Sequence, residues 1–284
     1  MAKFDIYQDI TNRIIKLMKE HGTNWVKPWH ATGSGTMPVS INTGKAYNGI
    51  NVLLLWAEAR ACNEWGTYKS WQDKGMQVKK GEKGTQIVFF KMLDIKNDSG
   101  DVEKQIPMMK YFTVFNGEQI EGYEPKLPAT VDAKQRIDAV DAFIDNTGAV
   151  IHHGGDSACF IPSRDQIHMP HIEAFTQTEY YYSTLLHELT HWTGHKSRLD
   201  RLKLDGAFGS SLYAFEELVA EIGSAMLCAT LGIDSEPRAD HAKYLNNWMQ
   251  VLSNDSKAIV KAAKLATQAC QYLETLQQTA EAAA

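Results

Sequence analysis

The sequence predicts an α+β chain of two domains: an α+β half over residues 1–117 and a mostly helical half with a small β-sheet over 131–284. Three observations carry this. Charge is divided unevenly: residues 1–117 hold 16 Lys+Arg against 11 Asp+Glu, a net of +5, whereas 118–284 hold 13 against 23, a net of −10. Such asymmetry hides inside an overall charge of −5 and points to halves with different partners. The hydrophobic period also changes along the chain, from mixed helix and strand patterns to long helical ones. Between them, residues 118–130 form an acidic stretch with two prolines, the composition of a linker.

In order, Ile6, Ile10, Ile14, Leu17 and Met18 lie on one face of an opening helix that Gly22 ends. Residues 51–62 read as a more buried helix and 67–74 as a short helical segment. Residues 85–92 and 108–115 are β-branched and aromatic, and the polar stretch 96–101 between them makes an antiparallel hairpin. After the linker, 133–146 reads as a helix, followed by short strands at 149–152, 157–161 and 166–169. From 178 the chain is helical except for a break between 194 and 211, and its Ala- and Gln-rich tail is helical too. Four widely spaced cysteines with no C-x-x-C pair exclude a disulfide framework and a cysteine zinc knuckle. No run approaches the ~18 apolar residues of a membrane span, so a cytoplasmic protein with no membrane partner is expected.

The strongest chemical signal is His187-Glu188-Leu189-Thr190-His191, an H-E-x-x-H pattern on a helix. Positions i and i+4 share a face, so His187 and His191 can hold one metal, while Glu188, about 100° round, suits a base acting on water beside it. Catalytic zinc sites take a third protein ligand. His195 lies beyond the helix-ending Gly194, four residues after His191 rather than the six a third-histidine pattern needs. Glu217 and Glu221 share a face of the next long helix, whereas Glu216 points elsewhere. Glu217 is assigned to the metal and Glu221 to orienting a histidine, with the exchange of those two roles as the alternative. The expected metal is zinc, with another divalent ion such as Mn2+ as the alternative. Residues 157–161 are the expected edge strand of a peptide cleft.

In the basic half, six lysines and only two acids lie between Lys69 and Lys91, with Trp71 among them, and Trp25, Trp29 and Tyr47 lie upstream. Rings that stack on bases and lysines that follow phosphates suit single-stranded nucleic acid. A solvated turn for Lys79, Lys80 and Lys83 is the competing account.

Several stretches resemble the N-terminal domain of the ArdC antirestriction family: residues 24–29 (NWVKPW), 42–51 (NTGKAYNGIN), 78–84 (VKKGEKG) and 114–116 (VFN). Residues 187–195 (HELTHWTGH), Arg198-Leu199 and 216–221 (EELVAE) resemble its zincin-like metallopeptidase domain. The resemblance implies a single-stranded-DNA-binding first domain and a role in shielding incoming DNA from host restriction, in proteins of conjugative plasmids, phages and related mobile elements. A similar module occurs in plasmid primases of the TraC type. The expected DNA-binding residues are Trp25, Lys27, Trp29, Lys45, Tyr47, Lys69, Trp71, Lys79, Lys80 and Lys83. Expected partners are single-stranded DNA and a host restriction-system protein. Alternatives are a metallopeptidase whose basic half recruits substrate, and a DNA-binding protein with a structural metal.

Overall fold

The computed structural model describes residues 5–22, 25, 36–97, 99–125, 132–202, 211–233 and 241–283. Helix α1 (Ile6–His21) opens the chain, with the Asp5 carboxylate accepting from the Tyr7 and Gln8 amides as an N-cap. Its Ile10, Ile14 and Met18, spaced four apart, are fully buried. A short strand β1 (Val39–Ser40), helix α2 (Ile50–Trp56), strand β2 (Glu64–Thr67), helix α3 (Tyr68–Gln72) and a long hairpin follow. The hairpin strands are β3 (Thr85–Lys96) and β4 (Val102–Asn116). The four strands form a sheet in the order β1-β2-β4-β3, parallel between β1 and β2 and antiparallel elsewhere. β3 ends the sheet, and the Asn51 side chain meets its outer edge: Val88 N–H donates to Asn51 Oδ1 at 2.7 Å, and Asn51 Nδ2 donates to Val88 O at 2.8 Å.

The second half begins with α4 (Ala133–Asp145) and a three-stranded sheet ordered β5 (Val150–His153), β7 (Gln166–Met169), β6 (Cys159–Ile161). β5 runs parallel to β7, and β6 antiparallel to it. Helices α5 (Thr178–Thr193), α6 (Ser211–Leu231), α7 (His241–Asn254) and α8 (Ala258–Ala283) complete it. α6 is the central helix, with every residue from Leu218 to Ala229 buried. Fully buried alanines of α8, at 262, 263 and 266, share its core and let two helix backbones approach closely. On the other side, Gly223 faces Thr190 of α5. A Cβ there would lie 2.6 Å from Thr190 Cγ2, so glycine sets how near the two helices come.

The α+β expectation holds, and most elements fall where the periodicity put them. The strands at 39–40 and 64–67 have no counterpart in the sequence reading, being too short to show alternation. Residues 118–123, at the head of the expected linker, continue the fold of the first half. Asn116 caps a 3-10 turn (Gly117–Gln119), Gln119 and Ile120 are 1% exposed, and Glu121 N–H donates to Gln77 O at 2.8 Å. Residues 126–131 lie outside those described.

One hydrophobic core runs through both halves, from Ile10 to Leu273. α1 packs on α7 and α2 on α8. Thr11 Oγ1 donates to Ser256 O at 2.8 Å, Gly49 N–H donates to Thr267 Oγ1 at 2.9 Å, and the Trp25 and Trp248 rings meet edge to face at 6.1 Å.

Candidate metal centre

Leu185, Leu186 and Leu189 bury α5 in the core, which turns His187 and His191 toward α6. Their Nε2 atoms lie 3.2 Å apart. Glu217 of α6 reaches between them, one carboxylate oxygen 3.5 Å from His187 Nε2 and the other 3.4 Å from His191 Nε2. Ligand atoms of these three residues all lie within 4.8 Å of one another. Donors arranged tetrahedrally at about 2.0–2.2 Å from one cation lie about 3.3–3.6 Å apart, close to the 3.2–3.5 Å separations here. Two imidazoles with a carboxylate suit a divalent transition metal. The residues present therefore fit a metal.

Around them stands a ring of charge. Glu221 Oε2 is 3.6 Å from His187 Nδ1. Glu216 Oε1 is 3.2 Å from His191 Nδ1, so Glu216 faces the site, which corrects the helical-wheel expectation that it points elsewhere. α6 crosses α5 so that residues 216 and 217 both meet the second half of the motif. Arg201 holds Glu216 in turn, its Nε 3.1 Å from each carboxylate oxygen and its Nη1 donating to Thr193 Oγ1 at 2.8 Å. Its Nη2 also donates to Thr190 O. Burial works to lower the His191 pKa, but the hydrogen bonds and charges of Glu216 and Glu217 outweigh it and push it up to about 10. Burial likewise works to raise Glu217, and the two histidines outweigh that and hold it far below the usual carboxylate range. Without a cation, a proton on His191 supplies positive charge to the carboxylates around it.

Glu188 is buried beside this cluster, and its Oε2 accepts from Phe160 N–H at 2.8 Å. Phe160 sits on β6, which is an edge strand of its sheet. The turn joining β6 to β7 is fixed to the end of α5. Arg198 pairs with Asp165, donates to Trp192 O at 2.6 Å, and lays its guanidinium 3.8 Å over the Trp192 ring. The hydrogen bonds from Arg198 hold the Asp165 carboxyl below its usual range. His195 turns away to Ser197, its Nδ1 2.8 Å from Ser197 Oγ.

In the basic half, Lys45, Lys69, Lys79, Lys80 and Lys83 are exposed, and Lys79 Nζ donates to Glu118 O at 2.7 Å. Tyr47 is half-buried against the core. Trp25 and Trp71 are fully buried. Trp71 donates its indole N–H to Phe115 O at 3.0 Å and packs against Tyr123. Neither ring presents a face to solvent, which corrects their expected base-stacking role; large flat side chains bury the most apolar area and go to the core first. Lys27 and Trp29 lie outside the described residues.

Comparison with known proteins finds relatives of both halves. A family model described as the N-terminal domain of anti-restriction factor ArdC matches residues 4–115, and one described as a zincin-like metallopeptidase matches residues 138–265. Crystal structures of the antirestriction ArdC protein from the R388 plasmid are similar throughout. The metal-free form has a TM-score of 0.81 at 41% identity, over 97% of this chain and 99% of that one. The Mn(II)-bound form has a TM-score of 0.78 at 41% identity, over 96% and 98%. An uncharacterized protein, y4eC, of Sinorhizobium fredii (strain NBRC 101917 / NGR234) is 39% identical over 98% of this chain and 94% of its own length. A DNA primase TraC of Escherichia coli is 38% identical over 92% of this chain, which spans only 26% of the primase.

Proposed function

Because this chain belongs to the ArdC antirestriction family, we propose that it protects DNA entering a new host from restriction. Its basic half binds the transferred single strand, and its second half hydrolyses a peptide bond in a host restriction-system protein. The observation that carries the hydrolytic part is the convergence of His187, His191 and Glu217 donor atoms beside the buried Glu188.

In this reading, His187, His191 and Glu217 hold a divalent ion, zinc or manganese. When bound, such an ion polarises a peptide carbonyl and makes water a better nucleophile. Glu188 accepts the proton of the attacking water and passes it to the leaving amine. Glu216 and Glu221 keep His191 and His187 oriented through their Nδ1 atoms. The edge strand β6 aligns an extended substrate by main-chain hydrogen bonds, and its Phe160 N–H steadies the Glu188 carboxylate. Nitrogen and oxygen ligands suit both candidate metals, so metal analysis of the purified protein decides between them.

A restriction-protection assay with Glu188→Gln tests the hydrolytic part. The variant is expected to retain stoichiometric metal and lose protection. Full protection with metal retained would assign the phenotype to binding alone. Single-strand affinity is expected to fall steeply with salt.

A further inference from the structure

The β3–β4 hairpin extends beyond the sheet as a two-stranded ribbon, and its register sorts side chains onto two unlike faces. Alternate residues share a face. Pairing of Ile87 with Phe112, Phe89 with Lys110, Lys91 with Met108, Leu93 with Ile106 and Ile95 with Lys104 therefore defines one side. From Thr85 to Ile95 and from Lys104 to Val114, that side bears three lysines and no acid. The opposite side bears Asp94, which accepts from Gln105 across the strands at 2.8 Å. Near the sheet both sides are covered. On the opposite side Tyr111 donates to Asp9 of α1 at 2.7 Å and Val88 is buried. On the lysine side Thr85, Ile87 and Val114 are buried, so the open lysine face starts at Phe89 and Phe112.

On the lysine side, Phe89 and Phe112 are exposed, at 48% and 44%, and their rings meet edge to face at 5.6 Å. Two exposed aromatic rings cost free energy in water unless something covers them. Lys110 stands directly across from Phe89, and Lys91 is the next residue along β3 on the same side. Flat apolar faces flanked by cations and free of carboxylates match a polymer with apolar faces and a charged backbone.

We propose that this face of the β3–β4 ribbon is the surface that holds single-stranded nucleic acid, with bases on Phe89 and Phe112 and phosphates on Lys91, Lys104 and Lys110. The assignment rests on the single-strand reading above and supplies the stacking surface that the buried Trp25 and Trp71 do not. A single strand is the occupant rather than a duplex, because phenylalanine needs a base face, and a duplex buries those faces in its stack.

The test is fluorescence anisotropy of the full chain with a labelled oligothymidylate of about twenty nucleotides, long enough for more than one binding footprint. Phe89→Ala with Phe112→Ala is expected to weaken binding about tenfold or more, and Phe89→Tyr with Phe112→Tyr to retain it. Replacing Lys91, Lys104 and Lys110 by alanine is expected to reduce the slope of log affinity against log salt by about 2. Phe90→Ala, at an exposed ring on the opposite face, is expected to leave affinity within about twofold. Wild-type binding with an unaffected Phe89/Phe112 alanine variant would overturn this placement alone. A wild type that binds no single strand would overturn both it and the broader reading. Sedimentation of the same proteins covers the remaining occupant: a wild-type dimer that the alanine pair converts to monomer, with DNA affinity unchanged, would make the face an interface with a second copy.

Discussion

Glu216 and Glu221 stand behind the two histidines as a pair, one carboxylate for each Nδ1. Only Glu221 was legible in the sequence, since it shares a helical face with Glu217. Glu216 sits one residue before Glu217, and its role depends on the angle at which α6 crosses α5, which no helical wheel contains. Glu216→Gln is expected to weaken metal binding about 10–100-fold, measured by competition with a chelator; an affinity within about twofold of wild type would remove its orienting role. Acidity gives a second check. With His191 pushed up to about 10, a metal must displace a proton at neutral pH. Affinity is therefore expected to rise about tenfold per pH unit between about 6 and 9 for one proton released, read by calorimetry in buffers of different ionisation enthalpy. In the metal-free fold the histidine contribution runs oppositely. Stabilisation from a raised histidine pKa is complete below its unfolded value of 6.5 and is lost as pH rises toward about 10. Stabilisation from the depressed Glu217 is present above 4.5 and is lost as pH falls.

Among elements, α5 and α6 matter most, and their spacing rests on Gly223 against Thr190. Ser224 adds a hydrogen bond from its Oγ to Ser183 O at 2.9 Å. Gly223→Ala forces a methyl group into a buried contact and is expected to cost about 1–3 kcal/mol despite alanine's better helix propensity. Because the same contact sets the reach of Glu217, metal affinity is expected to fall with it. Thermal melting and metal titration of one variant read both effects; a stabilised variant with normal affinity would show that the helices part freely. Long periodic helices and the hairpin were legible because each repeats its pattern many times. The two- and four-residue strands β1 and β2 were not, because their pairing is decided by β4 and by the chain around Asn63 rather than by their own residues. The ribbon's strands are legible from their β-branched and aromatic residues, but which of those residues share a face depends on the register that pairs Ile87 with Phe112.

At the scale of the whole molecule, a charge split and an acidic linker described two modules, yet one core joins them. Trp25 shows why that was hidden: its neighbours in sequence suggested a surface for bases, but its partner, Trp248, lies more than 200 residues away. Long-range burial of this kind leaves no periodic trace. Trp25→Ala is expected to cost about 3–5 kcal/mol, and unfolding by denaturant to remain one transition seen alike by far-ultraviolet dichroism and by tryptophan emission. Two separated transitions in the wild type would mean that the halves fold independently. The outer edge of β3 has a different consequence at this scale. A sheet that ends in an open strand invites the next molecule to add its own, and concentrated protein then assembles through its backbone. Asn51 forestalls that by offering Val88 the amide pattern of a neighbouring strand from a side chain that cannot extend the ladder. Solubility at high concentration is thus expected to depend in part on one carboxamide.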